Sequence, residues 1–282
     1  MMNNQYGELF RERLSQVGIL PLIGIYDLMS ASIAAKHFEA IFCSGYGFSA
    51  SQYGLPDEGF ITWTDMVNYV ERVRTILPDT HIVVDIDDGY GDPNIASTVV
   101  RKLERVGASA VILEDQKRPK KCGHLPGKEL LEINTYLSRL NAVLDSKDKM
   151  YVIARTDSPN IDEGIIRANR YAEVGADAIM VEGLTDISQI SRIRESIPDK
   201  VSITVNLIAG GKTPPITLED LKNLEVNLVI YSTPCLFAAH AAIDETMEEM
   251  ISSDLIITEN RSKISLKESN ELLRNNLKSS ML

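Results

Sequence analysis

The phrase VGASAVILE (106–114) returns as VGADAIMVE (174–182). Each copy reads as the end of an amphipathic helix, a glycine stop, and an apolar run closing on glutamate. Their separation is that of two strand–helix units, so the echo predicts a repeated βα chain. Working outward, the same kind of run recurs as LPLIGI (20–25), EAIFCS (39–44), HIVVDID (81–87), MYVIAR (150–155), VSITVN (201–206) and NLVIYS (227–232). Helical patterns lie between them; over 95–106, Ala96, Val99, Val100, Leu103 and Val106 recur at three- and four-residue spacing. Runs this continuously apolar suit a parallel sheet covered on both faces. Eight of them, each followed by a helix, predict a (β/α)8 TIM barrel, an α/β fold. An open doubly wound sheet is the alternative, but no GxGxxG loop follows an early strand.

The 282 residues are read as one domain, 1–282, with 253–282 a helical tail for contacts between subunits. Hydrophobic residues make up 44% and charged ones 24%, enough apolar chain for a substantial core. A net charge of −11 argues against a nucleic-acid partner, which requires basic surface. No apolar run approaches the roughly 20 residues of a membrane helix, and MMNNQYGELFRERL lacks a signal core, so a cytoplasmic protein is expected. Cys43, Cys122 and Cys235 are too few and too scattered for a disulfide framework or a zinc pair. Cys43 and Cys235 sit in apolar contexts and read as packing residues, whereas Cys122 does not.

In a barrel the chemistry gathers at the C-terminal ends of the strands. Those ends carry Tyr26, Asp27, Ser44, Asp85, Asp87, Glu114, Arg155, Glu182, Asn206 and Ser232. Asp85 and Asp87, two apart on a strand, would point the same way and repel unless a cation lies between them. Oxygen-only donors suit Mg2+ or Mn2+, with Glu114 and Asp57 of GLPDEG positioned to hold its waters. After the fourth strand comes EDQKRPKKCGHLPGK (114–128), where Lys120, Lys121, Gly123 and His124 surround Cys122. Neighbouring cations would stabilise the thiolate, and Gly123 and Gly127 would let the loop fold over a bound anion, so Cys122 reads as a catalytic acid on a lid.

GLPDEG, DIDDGYGDP, LEDQ…PKKCGH, ARTDS and NLIAGGKTP, in that order over roughly residues 20–250, resemble the isocitrate lyase and phosphoenolpyruvate mutase superfamily. KKCGH is similar to the loop of its carbon–carbon lyases: isocitrate lyase, 2-methylisocitrate lyase, 2,3-dimethylmalate lyase and the petal death protein. SGYG (44–47) and NLIAGGKTP (206–214) look most like the last two. The resemblance implies Mg2+ held directly by Asp85 and Asp87 and through water by Asp57 and Glu114. It implies substrate contacts from Ser44, Gly45, Tyr46, Gly123, His124, Arg155, Glu182 and Asn206, catalytic roles for Cys122, Lys120 and Arg155, and a homotetramer exchanging its last helix. Three positions depart from the pattern: Asp88 stands where threonine is usual, adding a carboxylate beside the metal, Ile208–Ala209 replaces Thr-Glu, and Tyr46 replaces glycine.

The expected activity is Mg2+-dependent cleavage of a 2-hydroxy dicarboxylate, a substituted malate, into a 2-oxo acid (pyruvate or glyoxylate) and a carboxylic acid. Arg155 would pair bidentately with a substrate carboxylate, and Cys122 would protonate the departing fragment. The alternatives are oxaloacetate decarboxylation or phosphonate chemistry on the same scaffold, and a non-catalytic binding protein.

Overall fold

In the computed structural model, which describes residues 5–256 and 264–281, the eight apolar runs close into a parallel barrel in chain order, with the last strand beside the first. The strands are β1 (Leu20–Ile25), β2 (Ala40–Cys43), β3 (His81–Asp85), β4 (Ala110–Glu114), β5 (Tyr151–Thr156), β6 (Ala178–Val181), β7 (Ser202–Leu207) and β8 (Leu228–Tyr231). The helices are α1 (Tyr6–Val17), α2 (Leu28–Ala34), α3 (Gly45–Phe48, continued by a π-helical turn at Ser49–Tyr53), α4 (Trp63–Ile76), α5 (Pro93–Arg105) and α6 (Ile133–Ser146). They continue as α7 (Ile161–Glu173), α8 (Ser188–Ser196), α9 (Leu218–Asn223), α10 (Pro234–Ser252) and α11 (Leu266–Ser279).

The helix boundaries follow from local chemistry. Asp92 caps α5 by accepting from the N–H groups of Asn94 and Ile95, and Pro93 supplies a first residue that needs no amide partner. The face read from the sequence, Ala96, Val99, Val100 and Leu103, is buried. Thr62 and Asp65 form a reciprocal capping box on α4.

Two apolar layers hold the barrel. Alternate strand residues such as Leu22, Val83, Ile112, Ile153 and Ile230 fill the interior, which Phe10 and Leu14 of α1 close from below. Their neighbours, among them Ile41, Val84, Val111 and Val152, meet the helices outside. Fully burying such a side chain contributes about 1.5–3 kcal/mol before the entropy of ordering it is subtracted.

The C-terminal helices behave differently from the other helices. Helix α10 buries none of its residues, and Ile243, Met247 and Ile251 along it are exposed. Between α10, α2 and the outer side of β1 runs an apolar groove of about 760 Å3, lined by Ile23, Met29, Ile33, Phe38, Ala238 and Ala242. Helix α11 lies against α4 and donates from Asn276 Nδ2 to Ser32 Oγ of α2 at 2.8 Å, within the same chain. Residues 257–263 of the expected tail fall outside the described residues.

Candidate active site

Strand alternation builds the site. On β4, β5 and β6 the interior series Ala110–Ile112, Tyr151–Ile153 and Ala178–Met180 continue, two residues on, to Glu114, Arg155 and Glu182. Ser44, Asp85, Asn206 and Ser232 end β2, β3, β7 and β8 in the same phase. The barrel interior is therefore apolar below and polar at its upper rim. A cavity of about 30 Å3 lies there, floored by Phe42, Ile112, Met180 and Ile230. Ser44, Tyr46, Asp57, Asp85, Cys122, Gly123, Arg155, Glu182, Asn206 and Ser232 wall it, with Ile208. Tyr26 and Asp27 do not join it: Tyr26 lines grooves on the outer wall, and Asp27 caps α2.

One side of the rim is a carboxylate cluster. The strand stops at Asp85, so Asp87 is placed by a left-handed turn (φ 48°) and not by strand alternation as expected. Its N–H donates to Asp85 Oδ1 at 3.0 Å, and both carboxylates lean on Gly45. A Cβ on Gly45 would lie 2.9 Å from Asp85 Oδ2, so glycine there makes room for the acids. Burial, with Asp87 adding to it against the pull of Lys120, pushes the Asp85 carboxyl up to about 6. Burial also lifts Glu114 well above the usual carboxylate range.

Lys120 is the first correction to the reading of the loop. It is 1% exposed and faces the acids, hydrogen-bonded to Asp87 and 3.1 Å from Asp57, with Glu114 at 3.8 Å. Burial opposes its charge, but Asp57, Asp87 and Glu114 outweigh that and hold the ammonium well above the ordinary lysine range. The donor set fits a hard cation. Asp57, Asp87 and Glu114 converge on Lys120 with Asp85 beside them, and both buried oxygens of Glu114 lack a hydrogen-bond donor, as acceptors awaiting metal-bound water would. Among the described residues no three His, Cys, Asp or Glu side chains are placed to hold a metal ion together, so the fit rests on the grouped acids and the open oxygens of Glu114.

The other side is an arginine held by acids. Asp157 accepts from Arg155 Nε at 2.8 Å and Nη2 at 2.9 Å, so this edge of the guanidinium is taken within the chain and a substrate carboxylate is left the Nη1 side. Nη2 also lies 3.3 Å from Glu114. Burial would raise the carboxyl of Asp157, but Arg155 and Lys128 win and lower it. Asp157 belongs to the ARTDS stretch, and its two-residue offset from Arg155 is the sequence signal of this pairing. Ser232 Oγ donates to Asn206 Oδ1 at 2.7 Å, and Asn206 Nδ2 to Glu182 Oε1 at 2.8 Å, which ties three strand ends together.

Residues 115–132 lie over this rim. A Cβ on Gly123 would come within 2.4 Å of Arg155 Nη2 and of Glu182, so the loop backbone rests on the site. His124 is buried, accepts at Nδ1 from the Lys212 N–H at 2.8 Å, and brings Nε2 to 3.0 Å from Glu182 Oε1, short of hydrogen-bond alignment.

Cys122 points into the cavity, half-buried, and the lysine expected beside it turns away, leaving Arg155 as the cation that shares the cavity. Lys120 faces the carboxylates. Burial raises the thiol pKa against a backbone hydrogen bond from His124, and Asp57 raises it further. Burial thus strengthens the hold of Cys122 on its proton, the reverse of the lowered pKa read from its sequence neighbours. Asp88 is likewise not a bare carboxylate beside a metal. It is buried and paired with Arg118 at 2.8 Å and Arg139 at 2.8 Å. Tyr46 packs edge-on against Phe237 of α10, ring centres 6.3 Å apart.

The family model for phosphoenolpyruvate phosphomutase matches residues 10–251. The chain is 35% identical to the petal death protein of Dianthus caryophyllus over 83% of its length and 75% of that protein. It is 31% identical to the 2,3-dimethylmalate lyase of Eubacterium barkeri over 93% of its length and 92% of that enzyme. The structure of oxaloacetate acetylhydrolase bound to 3,3-difluorooxalacetate superposes with a TM-score of 0.91 at 28% identity, covering 99% of this chain and 95% of that one. With a matching barrel and a match along most of its length, the chain belongs to the phosphoenolpyruvate mutase and isocitrate lyase superfamily of enzymes.

Proposed function

We propose that the protein is a Mg2+-dependent carbon–carbon lyase that cleaves a 2-hydroxy dicarboxylate, a substituted malate, between C2 and C3. The observation that carries this is one small cavity walled by the thiol of Cys122, the guanidinium of Arg155 and acids of the carboxylate cluster. Asp85 and Asp87 would hold the ion directly, and Asp57 and Glu114 through water. Once bound, it would neutralise the C2 oxygen and its adjacent carboxylate and stabilise charge there. The Nη1 side of Arg155 binds a substrate carboxylate, while Ser44, Gly45, Tyr46, Glu182 and Asn206 surround the rest. As a general base takes the C2 hydroxyl proton and C2 becomes a carbonyl, the electron pair of the C2–C3 bond passes to the departing acid, and the Cys122 thiol gives its proton to that carbanion and is left as thiolate. A thiol raised by burial suits this step, because an acid must hold its proton until the far more basic carbanion forms. Gly123 and His124 close over the substrate and exclude water.

The groove beside α10 and the exposed apolar side chains on that helix support assembly with further copies, a homotetramer in which α10 or α11 packs against a neighbour's barrel. No described helix is long and apolar enough to cross a membrane, and the working site would be the cytoplasm.

A second reading is carbon–carbon cleavage or decarboxylation of oxaloacetate. The similarity to oxaloacetate acetylhydrolase, and the bulk of Tyr46 and Ile208 in the cavity wall, favour it. A panel of malate, alkylmalates, 2-methylisocitrate and oxaloacetate with Mg2+ separates the two. Release of pyruvate or glyoxylate from an alkylmalate is expected; turnover of oxaloacetate alone overturns the lyase reading in favour of the second.

A further inference from the structure

Lys128 leaves the loop five residues beyond Gly123, and its ammonium does two things at once. It donates to the carbonyl of Gly123 at the loop's tip, and it reaches Asp157 Oδ1 on the barrel at 3.1 Å, with its side chain only 5% exposed. That same Oδ1 accepts from Arg155 Nη2 at 2.9 Å. Asp157 is itself fixed from behind, where its N–H donates to the buried Asp115 at 2.9 Å. A continuous chain of charge-assisted contacts therefore runs from the loop tip through Lys128 and Asp157 to Arg155.

We propose that Lys128 is a positioning residue that latches loop 115–132 shut and, through the same contact, sets how much of the Arg155 charge is available to a substrate carboxylate. The electrostatic reason is a shortage of cations. Arg155 faces Asp157, Glu114 and Glu182, three acids for one guanidinium. With Lys128 seated, Asp157 divides its charge between two cations. With the loop open, Lys128 leaves with it and Asp157 falls back on Arg155 alone. Arg155 then attracts an incoming carboxylate less strongly, so closure and anion binding reinforce each other. The steric fit agrees, because Gly123, whose carbonyl Lys128 holds, is the residue whose missing Cβ lets the loop lie on Arg155.

This rests on residues 115–132 acting as a lid over the proposed site, but not on which bond the enzyme breaks. The test needs no turnover: the rate at which iodoacetamide labels Cys122 is measured by peptide mapping, with and without Mg2+ and oxalate. In Lys128→Gln, Cys122 should label about tenfold faster than in wild type, the scale of one charged hydrogen bond lost, and oxalate should protect at roughly tenfold higher concentration. Lys128→Arg, whose fork can span the carbonyl and the carboxylate, should recover most of both effects; a melting temperature near wild type confirms the fold. On any substrate found active, KM should rise more than kcat falls. Wild-type labelling and oxalate protection in Lys128→Gln overturn the latch. So does an equal loss of protection in Lys128→Arg. Absence of turnover on every substrate, with labelling behaving as expected, overturns the lyase reading and leaves the latch standing.

Discussion

Glu114 and Asp115 are adjacent, both buried at the end of β4, and their surroundings are opposite. Asp115 accepts from Thr156 Oγ1 at 2.7 Å, the Asp157 N–H at 2.9 Å, Arg167 at 3.2 Å and Tyr171 OH at 2.8 Å. Neither oxygen of Glu114 has a hydrogen-bond donor. The contrast extends to the two ends of the barrel. At the N-terminal end, Glu104 takes the N–H groups of Asp148, Lys149 and Met150 at 2.9, 2.6 and 2.7 Å. Asp177 there binds Arg11, Lys147 and the Val152 N–H. At the C-terminal end, Asp57, Asp87 and Glu114 gather on Lys120 beside Asp85, and both oxygens of Glu114 stay without a hydrogen bond. A buried acid whose acceptors are filled by its own chain holds the fold together. One left short of donors is kept for something that arrives from outside.

That distinction can be broken by mutation. The largest expected effect is Asp87→Ala, which should reduce turnover to background while the melting temperature stays near wild type. Undiminished activity in excess EDTA would remove the metal from the mechanism altogether. Next is Cys122→Ser, where a hydroxyl too weakly acidic to replace the thiol should lower kcat by roughly 10²–10⁴-fold with substrate binding little changed. Full activity on the physiological substrate would make the thiol a bystander.

A smaller effect concerns pH. Asp85 must lose its proton to bind a cation, and its carboxyl is pushed up to about 6. Protons therefore compete below that point, and Mg2+ affinity measured by calorimetry should fall by about tenfold from pH 7 to pH 5. A flat profile would place the ion elsewhere. The smallest effect on catalysis should come from the filled end. Glu104→Ala strips the acceptor from three N–H groups and should lower unfolding free energy by about 2–4 kcal/mol, with kcat per folded molecule unchanged. A matching loss of kcat would erase the difference between the two ends.

Much of this was legible in the chain. The eight runs and the recurring VGAxAxxxE phrase are local signals, and a period of two along each strand carries Ser44, Glu114, Arg155, Glu182 and Asn206 to the rim without knowledge of the tertiary fold. The loop was legible as a cover, since Gly123 has no side chain to obstruct contact with Arg155. What misled was adjacency. Lys120 and Cys122 are two residues apart, yet the ammonium turns to Asp57 and Asp87 while the thiol enters the cavity. Asp88 follows the metal acids in sequence but belongs in the fold to Arg118 and Arg139, the second of which comes from α6. The barrel and the residue types that reach its rim follow from the order of residues alone, because backbone periodicity acts over a few residues. Which charges pair, which stay unsatisfied, and whether burial raises or lowers a proton affinity were decided by the tertiary structure, because those energies depend on distances between segments far apart in the chain.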